Sequence, residues 1–382
     1  MCRKKMISSI LMLVSVLGIN AQQLNDTVKT NSALLDDVVV YSSRFAEKFK
    51  RVAQTIDVLK TREQLNYQPN TADALINSGK LFVQKSQQGG GSPVIRGFEA
   101  SRILMVVDGV RMNNAIYRAG HLQNIITIDN MVLDRMEILY GPSSTLFGSD
   151  ALGGVISLST KDPILSTTHK TQFSGATTLR YSSAMQENRG NIQLNIGGQK
   201  WASFTSVSYG SFGDLVQGRN RSAAYPNFGK RNIYVERVGN IDMIIPNSNP
   251  NKQIGSGYKQ VDITQKFLYQ GSEKVQHILN LQFSNTNDIP RYDRLSEISG
   301  GVPVFSEWYY GPQLRNMAAY HLNVKEQSGF FKDIKITTSF QDIEESRMAR
   351  RFQNSSKDFR WERIKVFGLN IDAKHYYGKH EL

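Results

Sequence analysis

Cysteine is almost absent: Cys2 is the only one in 382 residues. It lies within residues 1–21, which read as an export signal: Arg3, Lys4 and Lys5 as the basic start, "MISSILMLVSVLGI" as the apolar core, and Ala21 as the small residue before a cut. Because Cys2 precedes that core, it is not a lipid-attachment cysteine. The mature chain would hold no thiol, which excludes disulfides, zinc–thiolate sites and cysteine nucleophiles. Beyond Ala21 no apolar run is long enough for a membrane-spanning helix, so the exported chain either stays soluble or enters a membrane as strands. Blocks of like charge are missing too. The net charge of +13 is scattered along the chain, which argues against a nucleic-acid partner. No Walker loop, dinucleotide glycine fingerprint, HExxH or nucleophile elbow occurs, so the expectation is a protein that is not an enzyme. The pair Glu344–Glu345 would point to opposite faces of a strand and reads as solvated loop charge, not as an acid–base dyad.

The rest of the chain has two textures. Up to residue 163, compact apolar runs such as "LDDVVVYSS", "ILMVVDGVRM", "RMEILYG" and "GGVISLST" are bounded by glycines, with a short helix expected at "TADALINSG" between Thr71 as N-cap and Gly79 as stop. That is a small mixed α+β domain. From residue 164 onward, apolar and polar residues alternate. "VQHILNLQFS" sets Val275, His277, Leu279, Leu281 and Phe283 against Gln276, Asn280, Gln282 and Ser284. Eight strands are expected, roughly at 171–182, 189–197, 201–210, 258–270, 275–284, 316–325, 333–343 and 361–377. Short turns (197–200, 271–274, 326–332) separate them from long polar connections at 211–257, 285–315 and 344–360. Short turns at one rim and long loops at the other are the pattern of a transmembrane β-barrel.

"SPVIRGFEASRILMVVDGVRMNN" followed by "VLDRMEILYGPSSTLFGSDALGGVISLSTKDP" resembles the plug domain of TonB-dependent outer-membrane receptors. The resemblance rests on Arg96-Gly97, Asp108-Gly109, Gly141-Pro142, Gly148, Gly153-Gly154 and Asp162-Pro163, in that order. Glycines 109 and 141 would end strands at turns, and Gly153-Gly154 would permit close backbone approach to a surrounding barrel wall. The family implies an α+β plug followed by antiparallel transmembrane barrel strands. The chain then divides into a signal peptide at 1–21, an N-terminal extension at 22–45, a plug at 46–163 and the first part of a barrel at 164–382. Plugged transporters have about 22 strands. Eight strands cannot close around such a plug, so the sequence is expected to be part of a longer receptor.

Similar to the family's energy-coupling box is "LDDVVVYSSR", with Asp37, Val38, Val39, Val40 and Tyr41. The resemblance implies pairing by strand addition with a TonB-type energising protein in the periplasm, which suits β-branched residues. The same valines could instead form the first plug strand. The loop "NNAIYRAGHLQN" follows the Asp-Gly turn, and its Gly120-His121-Leu122 is similar to a plug loop of haem and haem-protein receptors. There the histidine is an axial iron ligand, which a neutral imidazole serves well. By that resemblance His121 would bind haem iron, Tyr117 would stack or ligate, Arg118 would pair with a propionate, and Asn114 would line the site. The other reading is an ordinary loop histidine bonded to backbone. The expected partners are thus outer-membrane lipid, the energising protein, and haem or a haem protein, with no intrinsic cofactor. Cobalamin, ferric siderophores, or a surface-binding role without import remain open. The other five histidines read as strand or interface residues, and a second iron ligand would lie beyond residue 382.

Overall fold

In the computed structural model the described residues are 39–43, 45–48, 55–60, 68–112, 115–116, 124–142, 147–148, 150–325, 330–377 and 380–381. The expected signal peptide, Asp37 and Val38 of the box, and Asn114, Tyr117, Arg118 and His121 lie outside them.

The inner domain is built on a mixed sheet. Its strands are β1 (Ile56–Lys60), β2 (Ile103–Val107), β3 (Leu133–Tyr140) and β4 (Gly154–Thr160), joined by the short strand Val110–Arg111. They run in the order β1-β3-β4-β2, with β4 parallel to β2 and the other neighbours antiparallel. All five residues of β2 are buried, as expected where a parallel strand is covered on both faces. Helix α1 (Thr71–Asn77) packs Leu75 into this core beside Ile125, Leu133 and Ile156. Its N-cap is Asn70, whose side chain accepts from the Asp73 amide at 2.9 Å. Thr71, expected as the cap, is instead the first helical residue, and its hydroxyl donates to Ile128 O at 2.6 Å. Gly79 ends the segment at φ +67°, as expected. Gly153 and Gly154 do permit a close approach, but within the domain: a Cβ on Gly154 would stand 2.5 Å from Leu139 O, and one on Gly153 2.4 Å from Phe98 Cβ. Gly154 is tight against β3 and Gly153 against Phe98, both within the inner domain and not at the surrounding wall.

The wall is one antiparallel sheet of long strands: β5 (Gln172–Ser182), β6 (Glu187–Gly197), β7 (Trp201–Phe212), β8 (Tyr258–Gln270), β9 (Val275–Thr286), β10 (Phe305–Tyr310), β11 (Leu314–Lys325), β12 (Asp333–Arg351) and β13 (Asp358–Lys374). Eight of these are the expected strands; β10 is an addition carried by a loop, pairing with the upper end of β12. The long connection expected at 344–360 shrinks to residues 352–357, because β12 and β13 pair without a break from Asp333↔Lys374 to Ala349↔Asp358. The reason is chemical. "EESRMARR" carries no apolar alternation, and it lies beyond Asp342, where the outward face of β12 has turned polar. Glu344 and Glu345 therefore lie in a strand, on opposite faces, and Glu345 is buried, which corrects the reading of both as solvated loop charge. A further hairpin, Ile233–Val238 with Ile241–Pro246, stands within the long connection between β7 and β8.

The two faces of the wall have inverted polarity. On β6, Glu187, Arg189, Asn191, Gln193 and Asn195 face the inner domain and are at most 9% exposed. Outward-facing Ile192, Val207, Phe267, Leu279, Leu281, Phe367 and Ile371 are 36–79% exposed. Trp201, Tyr269 and Tyr320 edge this apolar surface at the short-turn rim. At the other rim, outward residues turn polar at Asn188, Lys259, Asn285 and Asp342. Buried polar and exposed apolar residues on the same strands are what a lipid-facing sheet requires.

Candidate functional site

The inner domain is held against the wall by two tiers of buried polar contacts and one apolar plate. The lower tier centres on Asp108, at the end of β2. Its carboxylate accepts from Thr160 N at 2.8 Å, Thr160 Oγ1 at 2.6 Å, Asn280 Nδ2 at 2.8 Å and Gln282 Nε2 at 3.1 Å. Lys266 Nζ lies 3.4 Å from Asp108 and 2.7 Å from Asp162, and donates to Thr160 O at 3.2 Å. Burial alone would raise the pKa of Asp108; Lys266 and the Thr160 hydrogen bonds outweigh it and hold the carboxyl below its ordinary value. The charge is therefore kept, and it ties β2, β4, β8 and β9 together.

The upper tier centres on Arg189 of β6. Its guanidinium donates to Pro69 O and Asn130 Oδ1, each at 2.7 Å, and to the Asp129 carboxylate. Asp129 also accepts from Ser208 of β7. Gln193 Nε2 reaches Met131 O and Gln260 Nε2 reaches Ile126 O, both at 2.8 Å. A guanidinium suits this position because its planar fork satisfies a carboxylate, an amide and a carbonyl at once. Beside it is a cavity of about 10 Å³, lined in part by Asn130, Arg189, Gln260 and Asp262. It has room for one water molecule, not a ligand.

Above that tier is the apolar plate. The turn Asn124–Thr127 pushes Ile126 against Phe212 and Tyr258, which stack at 4.4 Å and 3°, and against Ile289, Trp308 and Tyr310. Gly89 passes through the same contact: a Cβ there would stand 2.6 Å from Ile126 Cδ1 and 2.7 Å from Tyr258 Cζ. Gln88 Nε2 donates to Gly213 O at 3.1 Å. Two inner-domain loops thus end among aromatic side chains at the rim that carries the long connections. Arg291 closes the cluster, 4.4 Å above the Trp308 ring and 2.6 Å from Asp293.

The four residues expected to touch a ligand fall outside the described residues, but both flanks of their loop are fixed. Arg111 O accepts from Gln341 Nε2 of β12 at 3.0 Å, and Met112 and Ile116 are buried; at the other flank Ile125 is in the core and Ile126 in the aromatic plate. The two described flanks therefore stand against β12 at Gln341 and in the aromatic plate at the outer rim. Of the coupling box, Val39–Tyr41 lie in a strand, Val39–Ser43, that pairs with Phe45–Lys48, Val40 opposite Glu47, in a two-stranded sheet apart from the mixed sheet of the inner domain, so these valines are not the first strand of that sheet. Among the described residues no group of three or more His, Cys, Asp or Glu side chains is arranged for a metal ion. His277 Nδ1 lies 2.7 Å from Tyr320 Oη and His321 Nδ1 lies 3.1 Å from Thr337 Oγ1. Both are strand histidines.

Asp108 was legible as the end of a strand, but not as a hub; nor were Arg189, Lys266, Asn280 and Gln282. The available signal was the polar face of the alternating strands: Arg189, Asn191, Gln193 and Asn195 are costly to bury unless something bonds them.

Residues 48–155 match the model of the TonB-dependent receptor plug domain. The chain carries the plug domain of TonB-dependent receptors. The vitamin B12 transporter BtuB of Vibrio vulnificus (strain CMCP6) is 34% identical over 160 residues, 40% of this chain and 23% of that protein. The chain therefore aligns with about a quarter of that relative's length. In fold it is similar to the copper transporter OprC, with a TM-score of 0.62 at 13% identity, over 85% of this chain and 43% of that one. It is also similar to the Serratia marcescens hemophore receptor HasR, solved with its hemophore HasA and heme, with a TM-score of 0.56 at 16% identity, over 84% of this chain and 46% of that one. The inner domain is the plug, and the wall is the corresponding part of the receptor barrel.

Proposed function

We propose that the chain supplies the plug and the first wall strands of an outer-membrane receptor that captures an iron-bearing ligand outside the cell. The ligand would then be imported past the plug with energy delivered by a TonB-type periplasmic protein acting on Asp37–Tyr41. The observation that carries the reading is the inverted wall. Its exposed apolar outer face suits lipid, and its polar inner face holds a plug through contacts that water can replace. We assign haem, free or protein-borne, as the ligand, with His121 on its iron and Tyr117, Arg118 and Asn114 beside it. Supporting this are the Gly120-His121-Leu122 sequence, the flank of its loop at Ile126 in the aromatic plate at the outer rim, and the likeness in fold to a hemophore receptor. The identity to a vitamin B12 transporter favours cobalamin as the second reading.

Titration of the full-length receptor with haemin and, separately, with cyanocobalamin decides between them. Haem binding should give a Soret band that shifts and weakens in His121→Ala. An unchanged band removes His121 from the site, and binding of cyanocobalamin alone selects the second reading. Deleting residues 36–40 in the full-length receptor should stop uptake while binding at the surface persists.

A further inference from the structure

Arg315, on the inner face of β11, is 2% exposed, and no carboxylate among the described residues bonds it. Its contacts are neutral. Nη1 donates to Gln282 Oε1 at 3.1 Å, Nε to Gln341 Oε1 at 3.3 Å, and Nη2 lies 2.9 Å from Met317 Sδ. A buried cation is ordinarily paired with a carboxylate, because an unpaired charge is costly to remove from water. Arg189, Lys266 and Arg350 keep to that rule, with Asp129, Asp108 and Asp242. Arg315 does not.

Its fork instead fixes two amides. A guanidinium only donates, so each glutamine must turn Oε1 towards it and Nε2 away. Away means onto the plug: Gln282 Nε2 donates to the Asp108 carboxylate at 3.1 Å, and Gln341 Nε2 to Arg111 O at 3.0 Å. Arg315 thereby positions both amides that hold the two ends of the plug's 108–111 turn. One step nearer the outer rim is Gln313, 1% exposed, with neither Oε1 nor Nε2 bonded. Thr286 N donates to Gln313 O at 3.0 Å, which continues the ladder of β9 and β11. Gln313 therefore shares the inner face with Arg315. A cation bonded only to neutral atoms and an amide bonded to none, two positions apart on one face, are donors suited to an anion. A carboxylate fits best: its two oxygens match the guanidinium fork, and the ion pair is stronger than the bonds to amide oxygens that it would replace.

We propose that Arg315, with Gln313, is a carboxylate site coupled to the plug. A carboxylate entering from the outer rim takes the guanidinium from Gln282 and Gln341; both amides can then rotate, and the 108–111 turn loosens from the wall. Only the identity of the ligand rests on the haem reading above, under which the carboxylate is a haem propionate. The test follows exchange of the Asp108 and Met112 amides, which donate to Leu158 O and Met105 O, in the detergent-solubilised full-length receptor. Arg315→Met should speed both about tenfold, with the β3 amides unchanged. Sodium formate should move the wild type towards the variant's rates, compared with sodium chloride at equal ionic strength, and should add nothing in Arg315→Met. Haemin at saturation should act as formate does, while haem dimethyl ester, which lacks the carboxylates, should bind without speeding exchange. The site is overturned if Arg315→Met leaves exchange unchanged, or if formate and chloride act alike on the wild type. An ester as effective as haemin overturns propionate as the source. If neither haemin nor its ester binds the wild type, the haem reading is what fails, and the formate and Arg315→Met arms still decide the site.

Discussion

Replacing Asp108 by alanine removes the acceptor shared by four donors and one ammonium group. Thr160 N–H and Asn280 Nδ2, the latter on a residue 0% exposed, lose their partners at 2.8 Å, at about 1–3 kcal/mol for each donor left buried and unmade. Lys266, itself 2% exposed, keeps Asp162 at 2.7 Å, so only part of the roughly 3–5 kcal/mol for breaking a buried pair applies. With non-additivity and water entering the gap, the net loss is about 3–5 kcal/mol. The assay is hydrogen exchange of β2 and β4 amides in the detergent-solubilised chain, which should speed up about a hundredfold or more. The pH dependence follows from the sign of the shift. The folded pKa of Asp108 lies below its unfolded value of about 3.8. Its contribution is therefore complete above that value and fades as pH falls through the depressed pKa. The gap between wild type and variant should be constant from neutral pH down to about 5 and close only in stronger acid. Acceleration of less than about fivefold, which is only about 1 kcal/mol, would refute the claim that this tier pins the plug.

Two other perturbations reach different parts of the same assembly. Gly89→Ala places a methyl group 2.6 Å from Ile126 and 2.7 Å from Tyr258. It should cost about 1–3 kcal/mol, read as faster exchange of the Ile125–Thr127 amides, while Gly218→Ala, with nothing within 4 Å, should be silent. The bond from Arg350 is the first cause holding the Asp242 carboxyl far below its ordinary range. The hairpin clamp is thus present above the unfolded carboxylate pKa and is lost only as pH falls through that depressed value. Protease cleavage at Gly239-Asn240 should stay slow at pH 5 and become fast at neutral pH in Arg350→Met; opening of the wild type between pH 6 and 5 would contradict the assignment.

The long strands could be read from the sequence because lipid imposes period-two alternation, and Ile263, Phe267, Leu279 and Leu281 keep it wherever lipid is the neighbour. The signal stops where lipid stops. Residues 344–351, β10 and the 233–246 hairpin are strands outside the lipid-facing span, where polar residues and a few packed aromatic or aliphatic ones share both faces, so no long period-two run marks them. The plug's turns were legible through glycine: Gly79, Gly109 and Gly141 all adopt positive φ, a requirement set by the local backbone alone. Asp108 and Arg189 were not, because their roles depend on residues 172 and 59 positions away in the chain, and one sequence holds no record of such pairings.

That division bears on how the plug would leave the wall in the import proposed above. If it adhered to the wall mainly through apolar burial, separating it would cost about 25 cal/mol for every Å² exposed to water, with nothing returned. Here the wall presents Arg189, Gln193, Gln260, Lys266, Asn280 and Gln282 to it. Each of those bonds exchanges for a bond to water at a net cost of only about 0.5–1.5 kcal/mol, or 1.5–3 where a charge takes part, once water can reach it. Among the described residues, apolar adhesion rests on small clusters: Ile126 in the aromatic plate, and Val110 against Met317 and Ala319. The barrier to release therefore lies in admitting water, not in breaking the contacts. Ile126 and Gly89 sit among the aromatic side chains at the outer rim, where a captured ligand would press.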